Sequence, residues 1–282
     1  MKIGYQGISG AYSEIASEIF SKQNNLKNTK IIGFPNFENI FEKVENGKLD
    51  FGIIPVENSL GGSIHKNFDL LNIYNLKVVG EVYVQVKHQL LSLKDTKRED
   101  VKEIYSHWQA LAQCANNLKT LFPNAKTIEF FDTAGSAEFI KNEKDKTKVC
   151  IASEKAGKIH DLKILQKNFH DDKENYTRFL VVAKNYAKFT NHKPASFYKT
   201  SLIFAGGNVT GFLFKALGCF SLRDINLTKI ESRPMPKSPW KYYFYLDFEG
   251  KYDDEKVKNA INNLKEIANE VKILGSYKAS KI

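Results

Sequence analysis

Short apolar runs alternate with segments of helical periodicity through the first two-thirds of the chain: "KIGYQG" then "AYSEIASEIF", "KIIGF" then "FENIFEKVENG", "DFGIIPV" then "HKNFDLLN". That order predicts strands and helices in turn, the pattern of an α/β protein. In the first helix Tyr12, Ile15, Ala16, Ile19 and Phe20 recur at helical spacing, while Ser13, Glu14, Ser17 and Glu18 take the other face, so the helix packs on a sheet. Leu76 to Leu93, "LKVVGEVYVQVKHQLLSL", reads as extended chain long enough to pass from one lobe to another. A second set follows, "VKEIYSH", "QALAQCANNLKTLF", "AKTIEFF", "TAGSAEFIKN" and "KVCIAS", and "TRFLVVAK" returns as a late strand. Two α/β lobes joined by crossing strands are expected, with a cleft between them for a small ligand.

The pattern changes after Lys184 to Ser201, a polar stretch that reads as a linker. The unit beyond it runs "TSLIFAGG", "VTGFLFKALGCFSLRD", "NLTKIESRP", "WKYYFYLDFEG", "DDEKVKNAINNLKEIANEV" and "KILGSY", in the order βαββαβ. That order gives a ferredoxin-like sandwich, an antiparallel sheet with two helices on one face. Pairing with a second copy would protect its edge strand and helix-free face.

With 282 residues, 42% hydrophobic and 12% aromatic, the chain has material for two ordinary domains. Its formal charge of +10 is divided along its length, since the residues after Ser196 carry 14 Lys/Arg against 9 Asp/Glu. Lysines alternate with acids in stretches such as "KNEKDKTK", which marks solvated surface and not a nucleic-acid footprint. A mildly positive field still draws small anions. The start, "MKIGYQGISG", has no apolar signal region, and no run approaches transmembrane length. Cys114, Cys150 and Cys219 form no CxxC pair and fit inert thiols in a reducing cytosol, so a cytoplasmic location is expected. The six histidines show no HExxH spacing, and no metal is expected.

Polar groups collect where strands end. The glycines at 4, 7 and 10 in "GYQGISGAYSE" are not a GxGxxG, so NAD is not indicated, but Ser9 or Ser13 near a helix N-terminus suits an anion or a plain capped turn. "PVENSLGGSIHKNFDLL" places Asn58, Ser59 and Ser63, donors that orient carboxylates, after a buried run; the bland alternative is a glycine-rich turn capped by Ser63. "YSHWQALAQC" offers Ser106, His107 and Gln109, although a lone histidine is more often structural, and Asp132 or Thr133 of "DTAGSAEFI" could cap a helix facing the cleft. A site built of neutral donors with few acids binds an anion and performs little base chemistry. In "ENYTRFLVV", alternation puts Thr177 and Phe179 on one face and Arg178 on the other; spacing alone favours an ordinary edge strand.

Taken together, "GYQGISGAYSE", "PVENSLGGS", "YSHWQALAQC", "ENYTRF" and "NLTKIESRP" resemble, in order and over nearly the whole chain, a monofunctional prephenate dehydratase with a C-terminal ACT regulatory domain. The resemblance implies a two-lobed, periplasmic-binding-protein-like (type 2) catalytic domain over residues 1–185, with lobes 1–78 plus 165–185 and 79–164. A linker over 186–198 and an ACT domain over 199–277 complete the implied organisation. No chorismate mutase helix bundle precedes it. The implied reaction converts prephenate to phenylpyruvate, CO2 and water without metal, cofactor or nucleophile. Loss of the ring carboxylate supplies the electrons that expel the hydroxyl, so the enzyme must hold the dianion, donate to the leaving oxygen and keep the departing carboxylate poorly solvated. By resemblance Thr177 donates to the leaving oxygen and Arg178 supplies positive potential. Ser13, Asn58, Ser59, Gly62, Ser63, His107, Gln109, Thr133 and Phe179 are carried over as substrate-cleft positions.

The resemblance also implies L-phenylalanine as allosteric effector at the interface of a homodimer or homotetramer. Its site corresponds to Asn208, Gly211, Phe212 and Leu213 in one turn and Glu231, Ser232, Arg233 and Pro234 in a strand. Thr210 stands where the family has proline and Phe212 where it has alanine, so a benzyl group could fill the effector pocket or tighten its fit. Trp108 also replaces a usual proline. Arogenate dehydratase and a non-catalytic two-lobed anion-binding protein are the competing functions.

Overall fold

Every strand and helix expected over the first 75 residues is present in the computed structural model, which describes residues 1–184 and 197–280. They are β1 (Lys2–Gln6), α1 (Tyr12–Gln23), β2 (Lys30–Phe34), α2 (Phe37–Glu45), β3 (Phe51–Asn58) and α3 (His65–Ile73), to which the structure adds the short β4 (Gly62–Ser63), paired with β3. The long extended stretch breaks at Val86–His88 into β5 (Lys77–Gln85) and β6 (Gln89–Ser92), which join different sheets. There follow β7 (Glu103–Ser106), α4 (Trp108–Ala112), α5 (Ala115–Leu121), β8 (Lys126–Glu129), α6 (Thr133–Glu143), β9 (Lys148–Ala152), α7 (Glu154–Ile159), β10 (Lys163–Gln166) and β11 (Tyr176–Ala183). The strand order is β2-β1-β3-β11-β5, with β4 on β3, in one sheet and β10-β6-β9-β7-β8 in the next.

Two features here were not expected. The run "QALAQCANNLKTLF" is two helices, because α4 stops at its C-cap Gln113 and α5 restarts after Cys114. Residues 154–166, without a strong apolar period, still form α7 and the edge strand β10, which lies antiparallel to β6.

The described chain divides into two compact units, Met1–Ile40 with Ile53–Ser63 and Tyr83–Phe179, and Phe41–Gly52 with Ile64–Val82 and Leu180–Ile282. In the first, the buried positions of β6, β7 and β9 form two apolar clusters: Leu90, Ile104, Val149 and Ile151 face α4 and α5, while Leu91, Tyr105, Cys150 and Ala152 face α6 and α7. Burial on both faces explains why these strands read as continuous apolar runs and not as alternation.

The second unit contains the βαββαβ set as expected: β12 (Tyr198–Ala205), α8 (Phe212–Ser221), β13 (Leu227–Pro234), β14 (Tyr242–Glu249), α9 (Glu255–Ile267) and β15 (Glu270–Lys278). The antiparallel sheet runs β13-β14-β12-β15. Leu202, Phe204, Leu246 and Phe248 pack beneath Ala216 and Phe220 of α8 and Val257, Ile261 and Leu264 of α9. The other face, expected to need a second copy, is met in part by α3 of the same unit. Phe68 lies edge-on to Tyr245 at 5.1 Å, and the Arg233 guanidinium grips both carboxylate oxygens of Asp69 at 3.1 and 2.9 Å. The Lys272 ammonium donates to the carbonyls of Leu71, Asn72 and Tyr74 at the C-terminal end of α3, where the helix dipole favours a cation. Up to residue 196, the linker expected over 186–198 lies outside the described residues.

Candidate active site

The site is built on the hairpin between β3 and β4, where Asn58 pairs with Gly62 and Glu57 with Ser63. The Asn58 side-chain oxygen accepts the backbone N–H groups of Leu60 (3.1 Å) and Gly61 (2.7 Å) and so closes the turn on itself. Two backbone donors fix which end of the carboxamide is oxygen, so the amide nitrogen must face β11. There it donates to Asn175 Oδ1 at 2.7 Å, the Tyr176 carbonyl at 3.1 Å and Thr177 Oγ1 at 3.0 Å. The Ser59 hydroxyl completes the seam by donating to the Glu174 carbonyl (2.7 Å) and accepting from the Tyr176 amide (2.9 Å).

This geometry sets the polarity of Thr177. Its oxygen accepts from Asn58, which leaves the hydroxyl proton to point elsewhere. Arg178, next in the strand, is 3% exposed and pairs with Glu57 at 3.3 Å. Thr177 thus meets Asn58 and Arg178 meets its neighbour Glu57, as alternation along two adjacent strands requires.

From the second sheet, β7 delivers His107 as N-cap of α4, its Nδ1 accepting weakly from the Gln109 amide at 3.4 Å. Half-burial pushes the His107 imidazole below its ordinary pKa, against the pull of Glu129 and Asp132. Gln109 brings its side-chain nitrogen beside Gly61, where an added Cβ would come within 3.1 Å of it. One helical turn later Gln113 occupies the break between α4 and α5 and joins the Asn58 cluster. Asn175 Nδ2 donates to Gln113 Oε1 at 2.9 Å, and Gln113 Nε2 lies 3.4 Å from Asn58 Oδ1. Three amides therefore close a ring, each donating to the next. Behind them His88 Nε2 sits 2.9 Å from Gln113 Oε1, and His88 Nδ1 lies 3.4 Å from the Tyr12 hydroxyl. Burial lowers the His88 pKa to about 4, only partly opposed by the Gln113 hydrogen bond, so the ring is neutral at physiological pH. Burial likewise pushes the Tyr12 phenol far up.

A cleft of about 450 Å3 opens beside Gln109 and Gln113, lined with them by Leu60, Gly61, Trp108, Ala112, Asp171 and Asp172. Its two aspartates depart from the expectation of an acid-poor site. Asp171 accepts the Asn116 and Asn117 amides at the start of α5, and Asp172 accepts the Glu174 amide, so both carboxylates brace the loop. Among the described residues no three His, Cys, Asp or Glu side chains gather as a metal would require.

Of the expected cleft positions, the structure brings together Asn58, Gln109 and Thr177, with Ser59, Gly62 and Ser63 in the supporting hairpin and His107 at the rim of α4. Thr133 opens α6 after its N-cap Asp132. Ser13 is largely buried in α1, and Phe179 is 1% exposed within the core. Gln113, Asn175, His88 and Tyr12 were not anticipated. Two signals were available: Gln113 is four residues after Gln109 and shares its helical face, and Asn175 is a polar residue two before Thr177 at the mouth of a buried strand.

In the second unit, Asn208, Gly211, Phe212 and Leu213 line a cavity of about 240 Å3 with Trp240, Tyr242 and Phe244. The Phe212 ring turns inward, 8% exposed, against Gly206 and within 6.1 and 6.2 Å of Phe204 and Phe244. It belongs to the sandwich core more than to the cavity. Ser232 and Pro234 are exposed on the edge strand β13, while Glu231 and Arg233 reach α3, pairing with His65 (3.2 Å) and Asp69 (2.9 Å). The eight expected effector positions are therefore split within one chain.

Comparison with known proteins places these features in context. The family model described as "PDT: Prephenate dehydratase" matches residues 3–187. "Arogenate dehydratase/prephenate dehydratase 2, chloroplastic" of Arabidopsis thaliana is 43% identical over 287 residues, covering 98% of this chain and 72% of that protein. A solved prephenate dehydratase in complex with L-Phe from Arthrobacter aurescens superposes with a TM-score of 0.88 at 25% identity, over 98% of this chain and 89% of that one. A further structure, described as "GqqA- a novel type of quorum quenching acylases", gives 0.86 at 30% identity over 99% and 98%. The relative named as chloroplastic overturns the expected cytoplasmic location. That expectation rested on three unpaired cysteines and on a start without an apolar signal region, which bear on redox environment and on secretion; transit peptides are amphipathic and Ser- and Arg-rich.

The burial of His88 has a measurable consequence. A histidine held neutral when folded, with its pKa near 4, but ordinary when unfolded destabilises the fold as pH drops from about 6.5 to about 4, because the unfolded chain binds the extra proton. The full effect is roughly 3 kcal/mol. Urea unfolding across that window should show the parent protein losing more stability than His88→Gln; equal losses would contradict a neutral buried ring.

Proposed function

The chain belongs to the prephenate dehydratase family, and from that premise we propose that it converts prephenate to phenylpyruvate, CO2 and water. The bond from the ring to its carboxylate breaks, the electron pair enters the ring, and the ring hydroxyl leaves as water once it has received a proton. Aromatisation drives the reaction, so the protein needs position and electrostatics more than strong acids. The carrying observation is the Asn58 to Thr177 hydrogen bond: an oxygen that accepts at 3.0 Å keeps its own proton for the leaving group. Among the described residues the side chains hydrogen-bonded behind Thr177 are the neutral amides of Asn58, Asn175 and Gln113. Thr177 therefore acts as a hydrogen-bond donor and the proton comes from water. Arg178, half-neutralised by Glu57, contributes a modest positive potential and ties two strand ends together. Gln109 and Gln113 offer the cleft amide donors suited to carboxylates, and His107 and Thr133 are substrate positions by resemblance.

Arogenate, the amino-acid analogue, is favoured as a second reading by the relative that carries both activities in its name. Both substrates lose CO2 and water by the same route. Amide hydrolysis, the activity of the acylase this chain resembles in fold, would need a nucleophile beside a base. The buried Cys114 thiol is pushed up, and the Thr177 hydroxyl has amide neighbours, so the geometry favours dehydration.

The C-terminal sandwich is the ACT domain in this reading, over 199–277, following a catalytic domain over 1–185. L-Phenylalanine is its effector, in a homodimer or homotetramer. Support comes from the cavity beside Gly211 and Leu213 and from a relative solved with L-Phe.

Supplied with prephenate, the purified protein should form phenylpyruvate, and the ratio of kcat/KM for prephenate to that for arogenate decides between the substrates. Thr177→Ala should lower kcat by about 100-fold or more while KM changes a few-fold, whereas Thr177→Ser stays within about tenfold of the parent. Near-normal turnover by Thr177→Ala would end the assignment. Millimolar phenylalanine should slow the parent enzyme; indifference would remove the regulatory proposal.

A further inference from the structure

A ring of three neutral amides has two polarities. In one, Asn58 donates to Asn175, Asn175 to Gln113 and Gln113 back to Asn58, as observed. In the other every carboxamide is turned over, and Asn58 would present its oxygen to Thr177. The hydroxyl proton would then be drawn to Asn58 and lost to the leaving group. Backbone donors from Leu60 and Gly61 hold one end of the ring in the first polarity. At the far end Gln113 is a long side chain at a helix break, beside an open cleft, and its side-chain oxygen also meets His88.

We propose that His88 is a positioning residue for Thr177, acting through Gln113: its Nε2–H donates to Gln113 Oε1 and, with Tyr12 serving its Nδ1, holds the amide ring in the polarity that leaves the threonine proton for substrate. Gln113 Oε1 receives two donors, Asn175 Nδ2 and His88 Nε2, both at 2.9 Å. Turning the Gln113 amide over would set its nitrogen against both. The tautomer follows from the same chain of contacts. Donation to Gln113 places the proton on Nε2 and leaves Nδ1 bare, to accept the Tyr12 hydroxyl at 3.4 Å. The Tyr12 ring stands edge-on to the imidazole, with centroids 5.8 Å apart and planes at 80°, and braces it from α1. His88 itself is 2% exposed and touches no part of the cleft, so it acts only through the amides.

This inference rests on the dehydratase reading, and its test separates the two. His88→Leu removes the donor, and kcat should fall about tenfold or more while KM stays within about threefold. His88→Gln can place an amide N–H near the Nε2 position and should recover kcat to within about threefold of the parent. Equal losses in both variants, or a loss confined to KM, would overturn the proposal. Should His88→Leu not fold, 15N NMR of histidine-labelled parent protein at pH 7 gives the independent answer, with the His88 signal assigned by its absence from His88→Gln. A protonated Nε2 and bare Nδ1 are expected; a protonated Nδ1 would refute the inference. A parent protein inactive on both prephenate and arogenate would instead defeat the dehydratase reading and leave the tautomer result standing.

Discussion

The site depends on one carboxamide. Asn58 closes its own turn with its oxygen and spends both amide hydrogens on β11, so the hairpin, the late strand and the threonine hydroxyl share a single side chain. Either half alone would be ordinary. Combined, they convert a turn preference into a chemical polarity, because the backbone donors decide which end of the amide Thr177 sees. An aspartate could close the same turn but would offer Thr177 an acceptor, and a threonine that donates to its neighbour has no proton for substrate.

The electrostatics around this point are restrained. Arg178 is matched by Glu57, Asp171 by the amides that open α5, and His88 stays neutral. The donors that face the cleft are the amides of Gln109 and Gln113, dipoles that orient a dianion without titrating near neutral pH. Such a site suits a reaction whose drive lies in the substrate.

Much of this was legible from the residues, and the failures have physical causes. Apolar runs and period-3.6 patterns located the main strands and helices of the first 75 residues and the whole βαββαβ set, because strands such as β3 and β12 are buried almost throughout and the helices bury one face. The break at Gln113 was hidden, since the apolar spacing of "QALAQCANNL" runs through it and only backbone geometry ends α4 there. Asn58 was legible as a donor after a buried run, and Thr177 was found through motif resemblance. Their hydrogen bond was not, as it joins residues 119 apart in the chain. Buried polar residues such as Asn175 and His88 are the hardest to see, because periodicity registers apolar faces and is silent on a satisfied amide inside one. The effector positions show the same limit: Arg233 matches a motif, yet a neighbouring helix supplies Asp69, which no local pattern announces.

The central claim is the direction of one proton. Neutron diffraction from perdeuterated crystals would locate it, together with the deuterons on the Asn58 amide. The ND2 group of Asn58 should be directed at Thr177 Oγ1 and the threonine deuteron turned away from Asn58. A threonine deuteron directed at Asn58, with the amide turned over, would contradict it.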